Sequence, residues 1–280
     1  MKIIRNPKQF QREMERLRAK GRSIGFVPTM GALHEGHLSL VRRARKENRA
    51  VAVSIFVNPL QFSPREDLRR YPRPLSRDRR LLNKEKVDYL FIPSPSSLYP
   101  KNFQTHVEVE GLSRGLCGKF RPEHFRGVAT VVAKLLNLAR PARAYFGAKD
   151  YQQAMIIKRL AADLDFNVEI KVLPLIRDRD GIALSSRNQY LSPRERKRAL
   201  ALSNALAWAR REVLRGRLTA AFLRAGVRRQ LHPFLDRIDY VECVEPETLE
   251  PVKKIRGRFV LAVAGWVGKT RLIDNAIMPA

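Results

Sequence analysis

Short apolar runs alternate with amphipathic stretches over the first two thirds of the chain. Residues 23–29 form a compact apolar run, and after a polar loop Leu38, Val41 and Ala44 recur at helical spacing within residues 38–46. A second apolar run, Val51-Ala52-Val53-Ser54-Ile55-Phe56-Val57, follows a turn; a charged stretch over about 66–86 reads as helix and leads to a third strand at 87–92. Beyond it the pattern predicts a helix over 128–139, a strand at 144–146, a helix over 152–163 and a strand at 168–172. Strand and helix alternate throughout, the pattern of a parallel sheet with helices on both faces, whose ligands sit beyond the carboxyl ends of the strands.

After Pro174 the texture changes. A polar loop, Arg177-Asp178-Arg179-Asp180-Gly181, opens it; long Arg/Ala/Leu helices run to about Leu231, and short strands are predicted near 240–244 and 259–263. The expected division is a larger α/β domain over 1–175 and a smaller α+β domain over 176–280. No internal repeat or low-complexity linker interrupts it.

With 280 residues and 44% hydrophobic content the chain can bury a full core. The start, Met1-Lys2-Ile3-Ile4-Arg5-Asn6-Pro7, is basic but has no apolar run behind it, and no stretch approaches about 18 uninterrupted apolar residues, so the expectation is a cytoplasmic protein without a membrane span. Cys117 and Cys243 lie too far apart for a disulfide framework or a metal-ligand spacing. The formal net charge of +28 is the unusual bulk feature. Its arginines and lysines, among them Arg69-Arg70, Arg79-Arg80, Arg194–Arg198 and Lys253-Lys254, are dispersed, which favours a generally basic surface that draws in anionic substrates over one polyanion site.

The loop Met30-Gly31-Ala32-Leu33-His34-Glu35-Gly36-His37 lies where a strand hands over to a helix, so free backbone N–H groups and the positive end of the helix dipole face it. His34 and His37 with Gly36 between them suit a phosphate chain; a lone histidine there would read as a cap, but two in one loop favour phosphate. Zinc is disfavoured, because no third ligand is nearby in sequence. Gly147-Ala148-Lys149-Asp150 occupies a second strand-to-helix transition, and Ala183-Leu184-Ser185-Ser186-Arg187-Asn188 offers hydroxyls and a guanidinium to phosphate oxygens. Taken alone, Lys149 and the Ser185 loop have an equally plain reading as solvated surface. Gln61 and Gln153 are amides of the kind a small polar ligand needs in a dry pocket, with a merely exposed Gln61 after Pro59 as the alternative. Gly265-Trp266-Val267-Gly268-Lys269-Thr270 ends like a P-loop but lacks its first-glycine spacing, so a P-loop ATPase is excluded.

Six segments in one order, PTMGALHEGHLSLV from Pro28, FVNPLQF from Phe56, RPEHFRGVATVV from Arg121, FGAKDYQQ from Phe146, LSSRNQYL from Leu184 and VGKTRLIDN from Val267, closely resemble the pantoate–β-alanine ligase family over essentially the whole chain. The resemblance implies a doubly wound, Rossmann-like nucleotidyltransferase-type domain with a smaller C-terminal α+β domain closing over the active site. It implies ATP with Mg2+ and no tightly bound prosthetic group, pantoate and β-alanine as the other substrates, a homodimer, and no specific nucleic acid or membrane partner.

Carried over by position, Met30, Gly31, Ala32, Leu33, His34, Glu35, Gly36 and His37 would hold ATP, with His37 as proton donor and His34 beside the phosphates. Gly147, Ala148, Lys149, Asp150, Ile176, Leu184, Ser185, Ser186 and Arg187 would complete the nucleotide site, with Lys149, Ser185, Ser186 and Arg187 also acting in catalysis. Gln61 and Gln153 would hold pantoate; Gln61, Arg121 and His124 would lie toward β-alanine. Two departures stand out: Ser63 occupies a position where the family commonly has glycine, and residues 65–80 are unusually basic. A related nucleotidyltransferase acting on another acid, or a nucleic-acid-binding scaffold favoured by the charge, are the competing readings; no RNA or DNA motif accompanies the basic residues.

Overall fold

Adjacent residues of one strand explain the layering of the first half of the chain. On the strand Ile24–Thr29, Phe26 and Val27 are both fully buried yet point to opposite faces, because side chains alternate along a strand. Both faces must therefore be covered. The computed structural model describes residues 1–64, 66–216 and 219–279; Arg65, at the head of the basic segment, lies outside them. The chain forms two compact units: Met1–Ser113, Arg121–Ala148 and Gln153–Pro174 make the first, and Arg114–Phe120, Lys149–Gln152 and Leu175–Ala280 the second.

The elements of the first part are β1 (Lys2–Ile4), α1 (Pro7–Ala19), β2 (Ile24–Thr29), α2 (Glu35–Glu47), β3 (Ala50–Ile55), α3 (Leu75–Lys84), β4 (Tyr89–Phe91), α4 (Pro95–Leu98), α5 (Glu110–Arg114), α6 (Leu116–Phe120), α7 (His124–Ala139), β5 (Arg143–Gly147), α8 (Tyr151–Asp163) and β6 (Glu169–Leu173). The six strands form one sheet in the order β1-β4-β3-β2-β5-β6, every pair parallel. On one face Leu40, Val41 and Ala44 of α2 and Leu82 of α3 pack with Val27, Val51, Val53 and Leu90. On the other, Phe10 of α1 stacks on Phe91 at 4.3 Å and lies 6.4 Å from Phe26. The expected doubly wound parallel sheet is what the chain forms.

From β2 the chain steps outward to β3 and β4, then returns to β5 on the other side of β2. Strand order reverses between β2 and β5, and the loops that follow those two strands flank the position where such sheets bind ligands.

Two local expectations need correction. The charged stretch over 66–86 is not one helix: a single turn at Asp67–Arg69 is separated from α3 by Pro72 and Pro74, which remove backbone donors and disfavour helix in the residue before each. The N-terminus, read only for targeting signals, holds a strand and a helix. Asn6 caps α1 by accepting the Gln9 N–H at 3.0 Å, Pro7 occupies its first turn, and Phe10, Met14 and Leu17 form its buried stripe.

In the second unit α9 (Pro193–Leu214) and α10 (Ala220–Leu231) pack on an antiparallel sheet β7-β8-β9 of Arg237–Val244, Phe259–Val267 and Thr270–Met278. Ser192 and Glu195 close a reciprocal capping box at the start of α9. The third strand, β9, is an addition to the two expected. Gly268, at a φ of 57°, turns the chain between paired Val267 and Thr270, so the Gly-Lys-Thr run is a β-hairpin and not a phosphate loop.

Candidate active site

β2 ends at Thr29, whose hydroxyl donates to the Ser54 carbonyl of β3 at 2.8 Å and accepts the Gly31 N–H at 3.1 Å. The chain then turns through two positive-φ residues, Gly31 at 81° and Ala32 at 49°. Glycine is needed at the first, because a Cβ there would also come within 3.0 Å of Ile55 Cγ2 and 3.1 Å of Asp78 Oδ2. The strained turn is held by the buried Asp78 carboxylate of α3, which accepts the N–H groups of Ala32 at 2.8 Å and Leu33 at 2.9 Å. Burial raises the Asp78 carboxyl above the usual range, against the pull of those two donors.

The turn delivers His34 to the start of α2. Its N–H donates to His37 Nδ1 at 3.4 Å, and the two rings lie 4.1 Å apart. With Nδ1 accepting, a neutral His37 carries its proton on Nε2. His34 is the N-cap of α2 and His37 stands in its first turn, where backbone N–H groups and the helix dipole favour an anion.

A second cluster surrounds Gln61, in the single turn Pro59–Gln61 after β3. Gln61 is buried; its Oε1 accepts from Asn58 Nδ2 at 3.1 Å and its Nε2 lies 3.1 Å from Met30 Sδ. Asn58 is itself fixed, donating to the Gly127 carbonyl at 3.0 Å and accepting the Tyr99 hydroxyl at 2.8 Å. α7 approaches closely here: a Cβ on Gly127 would fall 2.2 Å from the Leu60 carbonyl oxygen.

Arg121 and His124 converge on the backbone of the same residue. His124 Nδ1 meets the Gln61 carbonyl oxygen at 2.8 Å, so Nδ1 donates and Nε2 can accept from Arg121 Nη1 at 3.0 Å. Arg121 also donates to the Gln61 carbonyl at 3.2 Å and grips both oxygens of Glu66 at 2.6 and 2.9 Å. Burial works against the Glu66 charge, but the Arg121 pair and the Ser63 N–H outweigh it and hold its carboxyl below the ordinary range. Gln153 sits half-buried on the first turn of α8; Gly147 closes β5 and Ala148 follows it directly.

The remaining expected residues, Lys149, Asp150, Ile176 and Leu184–Arg187, fall in the second unit. Lys149 Nζ lies 3.4 Å from Asp150 Oδ1, and Ser185 Oγ accepts the Arg187 N–H at 3.2 Å at the head of the turn Ser186–Tyr190. The strand-like segment before that turn is closed by an Arg177–Ala183 bridge and by Leu184 N–H donating to the Ile176 carbonyl at 3.1 Å. Sequence reasoning missed Asp78, Asn58 and Glu66, which hold residues it did find, and Tyr99, which holds Asn58. Cys243 has no chemistry to offer: burial pushes its thiol up to about 12.

The sequence profile described as pantoate-beta-alanine ligase matches residues 2–277. The chain belongs to the pantoate–β-alanine ligase family. Among relatives, the pantothenate synthetase of Thermotoga neapolitana is 54% identical over 280 residues, covering 99% of this chain and all of that protein. The crystal structure of pantothenate synthetase from Thermus thermophilus superposes with a TM-score of 0.94 at 46% identity, covering 99% of both chains. The pantoate–β-alanine ligase of Francisella tularensis, solved in complex with beta-gamma ATP and β-alanine, matches at a TM-score of 0.81 and 38% identity, covering 99% of this chain and 97% of that one. The family resemblance carried by the six segments is thereby established. Among the described residues no helix is long and apolar enough to cross a membrane, and no group of three or more His, Cys, Asp or Glu stands together as a metal site.

Proposed function

We infer that this chain joins pantoate to β-alanine in an ATP-dependent reaction. The pantoate carboxylate attacks the α-phosphorus of ATP and expels pyrophosphate; the β-alanine amine then attacks the acyl carbon of pantoyl adenylate, releasing AMP and pantothenate. The observation that carries this reading is the family match over residues 2–277, borne by a chain that keeps the His34–His37 loop at the strand-to-helix transition after β2.

The assigned roles follow from what each group offers an oxyanion. His34, His37 and the first turn of α2 take the phosphates, with His37 donating a proton from Nε2. Lys149, Ser185, Ser186 and Arg187 add cationic and hydroxyl donors that strengthen as charge grows on the α-phosphate, and Gly147, Ala148, Asp150, Ile176 and Leu184 contact the nucleotide. Gln61 and Gln153 orient pantoate by neutral hydrogen bonds, and Gln61 also serves β-alanine. Arg121 and His124 contribute toward β-alanine through the Gln61 backbone that they hold. Mg2+ enters with ATP as part of the substrate; ammonium, guanidinium, imidazole and N–H donors suit phosphate oxygens directly, and no protein ligand of the metal is assigned. The chemistry calls for no prosthetic group. We further propose a cytoplasmic homodimer without a specific nucleic-acid partner, to be checked by sedimentation equilibrium.

The deciding experiment is exchange of labelled pyrophosphate into ATP. Exchange that requires pantoate, with AMP release that requires β-alanine, supports the reading; exchange driven by another acid, or absent with pantoate, overturns it.

A further inference from the structure

The last of the six family segments, ending in Leu272-Ile273-Asp274-Asn275, has no part in the roles assigned above. In β9 burial alternates from Thr270 to Ile273, then breaks: Asp274 and Asn275 are both buried although neighbours in a strand face opposite ways. Two adjacent buried polar side chains at the edge of a three-stranded sheet need partners on both faces.

Each has one, and both partners lie on segments of the second unit that carry expected nucleotide-site residues. On one side Asp274 takes a two-pronged ion pair from Arg177, at 2.7 and 3.0 Å. Arg177 also donates to the Gly181 carbonyl at 3.1 Å and pairs by its backbone with Ala183, so the hairpin from Ile176 to Leu184 is fixed at its base, and Ser185, Ser186 and Arg187 follow directly from it. On the other side Asn275 Nδ2 donates to the Lys149 carbonyl at 2.9 Å, and the backbone Asn275 N–H donates to Asp274 Oδ1 at 2.8 Å, holding the Asp274 carboxylate against the Asn275 backbone. The segment Lys149–Gln152 is held elsewhere as well: the Tyr151 hydroxyl donates to the Pro246 carbonyl at 3.1 Å, and Gln152 both accepts the Cys117 N–H and donates to the Gly115 carbonyl at 2.9 Å. The Asn275 side chain fixes the Lys149 peptide itself.

We propose that Asp274 and Asn275 are positioning residues for adenylation: Asn275 sets the backbone from which Lys149 reaches phosphate, and Asp274, through Arg177, sets the hairpin that presents Ser185–Arg187. The inference rests on the roles given above to Lys149 and Arg187. A purely structural pair would support the fold without acting through either residue, and that difference is measurable.

The test is a double-mutant cycle on pantoate-dependent pyrophosphate exchange, using Asn275→Ala with Lys149→Ala, and Asp274→Asn with Arg187→Ala. If Asn275 acts through Lys149, Asn275→Ala lowers exchange by up to about 10²-fold, the cost of a misplaced catalytic group. The double mutant then falls no further than Lys149→Ala alone. For Asp274→Asn with Arg187→Ala, whose hairpin also presents Ser185 and Ser186, the double mutant is expected to lose less than the product of the two single losses. Asn275→Ser, which keeps a small polar residue in the strand but shortens its reach, replaces Asn275→Ala should that variant fail to fold. Losses that multiply in full in the double mutants, or a folded Asn275 variant with wild-type exchange beside an impaired Lys149→Ala, overturn the proposal. Wild-type exchange in Lys149→Ala itself instead removes the phosphate role on which it rests.

Discussion

Asp78 accepts the Ala32 N–H at 2.8 Å across 46 positions of sequence, and its other oxygen takes the Leu33 N–H at 2.9 Å. One buried carboxylate on α3 therefore defines the turn that carries the histidines onto α2. Asp78→Ala leaves both N–H groups buried without their acceptor, at roughly 1–3 kcal/mol each, so a stability loss of roughly 2–6 kcal/mol is expected, with pyrophosphate exchange falling alongside it. Urea unfolding and exchange measured together test this; an unchanged midpoint with full exchange would show that the turn holds itself.

On the role proposed for it, Lys149 supplies a cation whose contact strengthens as the α-phosphorus is attacked, and Lys149→Ala removes it. Losing one preorganised electrostatic donor costs on the order of 10²–10³ in rate, and folding should survive. Near-normal exchange in a well-folded variant would take Lys149 out of the mechanism.

Gln61 should orient pantoate and contribute little to ATP. Gln61→Ala is expected to weaken pantoate binding far more than ATP binding when both are measured by calorimetry; an equal loss would mean that it supports the loop in general. Its carbonyl is held by Arg121 and His124, and Arg121 by Glu66. Because the folded Glu66 carboxyl titrates below its ordinary value, the stability it adds is complete above about pH 4.3 and is lost as pH falls through the lower folded value. Glu66→Gln should flatten that acid limb of the stability profile, with a higher KM for pantoate at neutral pH; an unchanged limb and an unchanged KM would dismiss the brace.

The sheet was legible because its strands and helices differ in period, and β2, β3, α2 and β5 came within a few residues of their true bounds. β9 escaped because Asp274 and Asn275 break the alternation that identifies a strand, and β1 because three residues carry no period at all. The helical spacing of Phe10, Met14 and Leu17 and the Asn6-Pro7 start are both present in the sequence as helix signals. Among the candidate site residues, those proposed to meet phosphate sit in short segments readable in one stretch. Their supports do not: Asp78 is a lone acid among Arg77, Arg79 and Arg80, and nothing local marks it as the partner of a loop 45 positions away.

The charge of +28 is expected to act on encounter and solubility rather than on the chemical step. Many carboxylates are already taken up in ion pairs, as Asp178 and Asp180 are by Arg196, Asp236 by Arg198 and Asp239 by Arg271, while Arg77, Arg79 and Arg80 stand exposed on α3. The excess positive field therefore reaches solvent and attracts ATP and pantoate from a distance. Such attraction is screened beyond about 8 Å at physiological ionic strength, so added salt should lower kcat/KM for the anionic substrates while kcat for adenylation changes less. RNA bound at low salt should dissociate steeply as salt rises, because its affinity depends on released counterions. Salt-dependent kinetics run beside RNA binding separate the two uses of this surface: tight, sequence-selective RNA binding that persists at physiological salt, with no effect of salt on substrate capture, would mean that the basic residues serve a nucleic acid and not the enzyme.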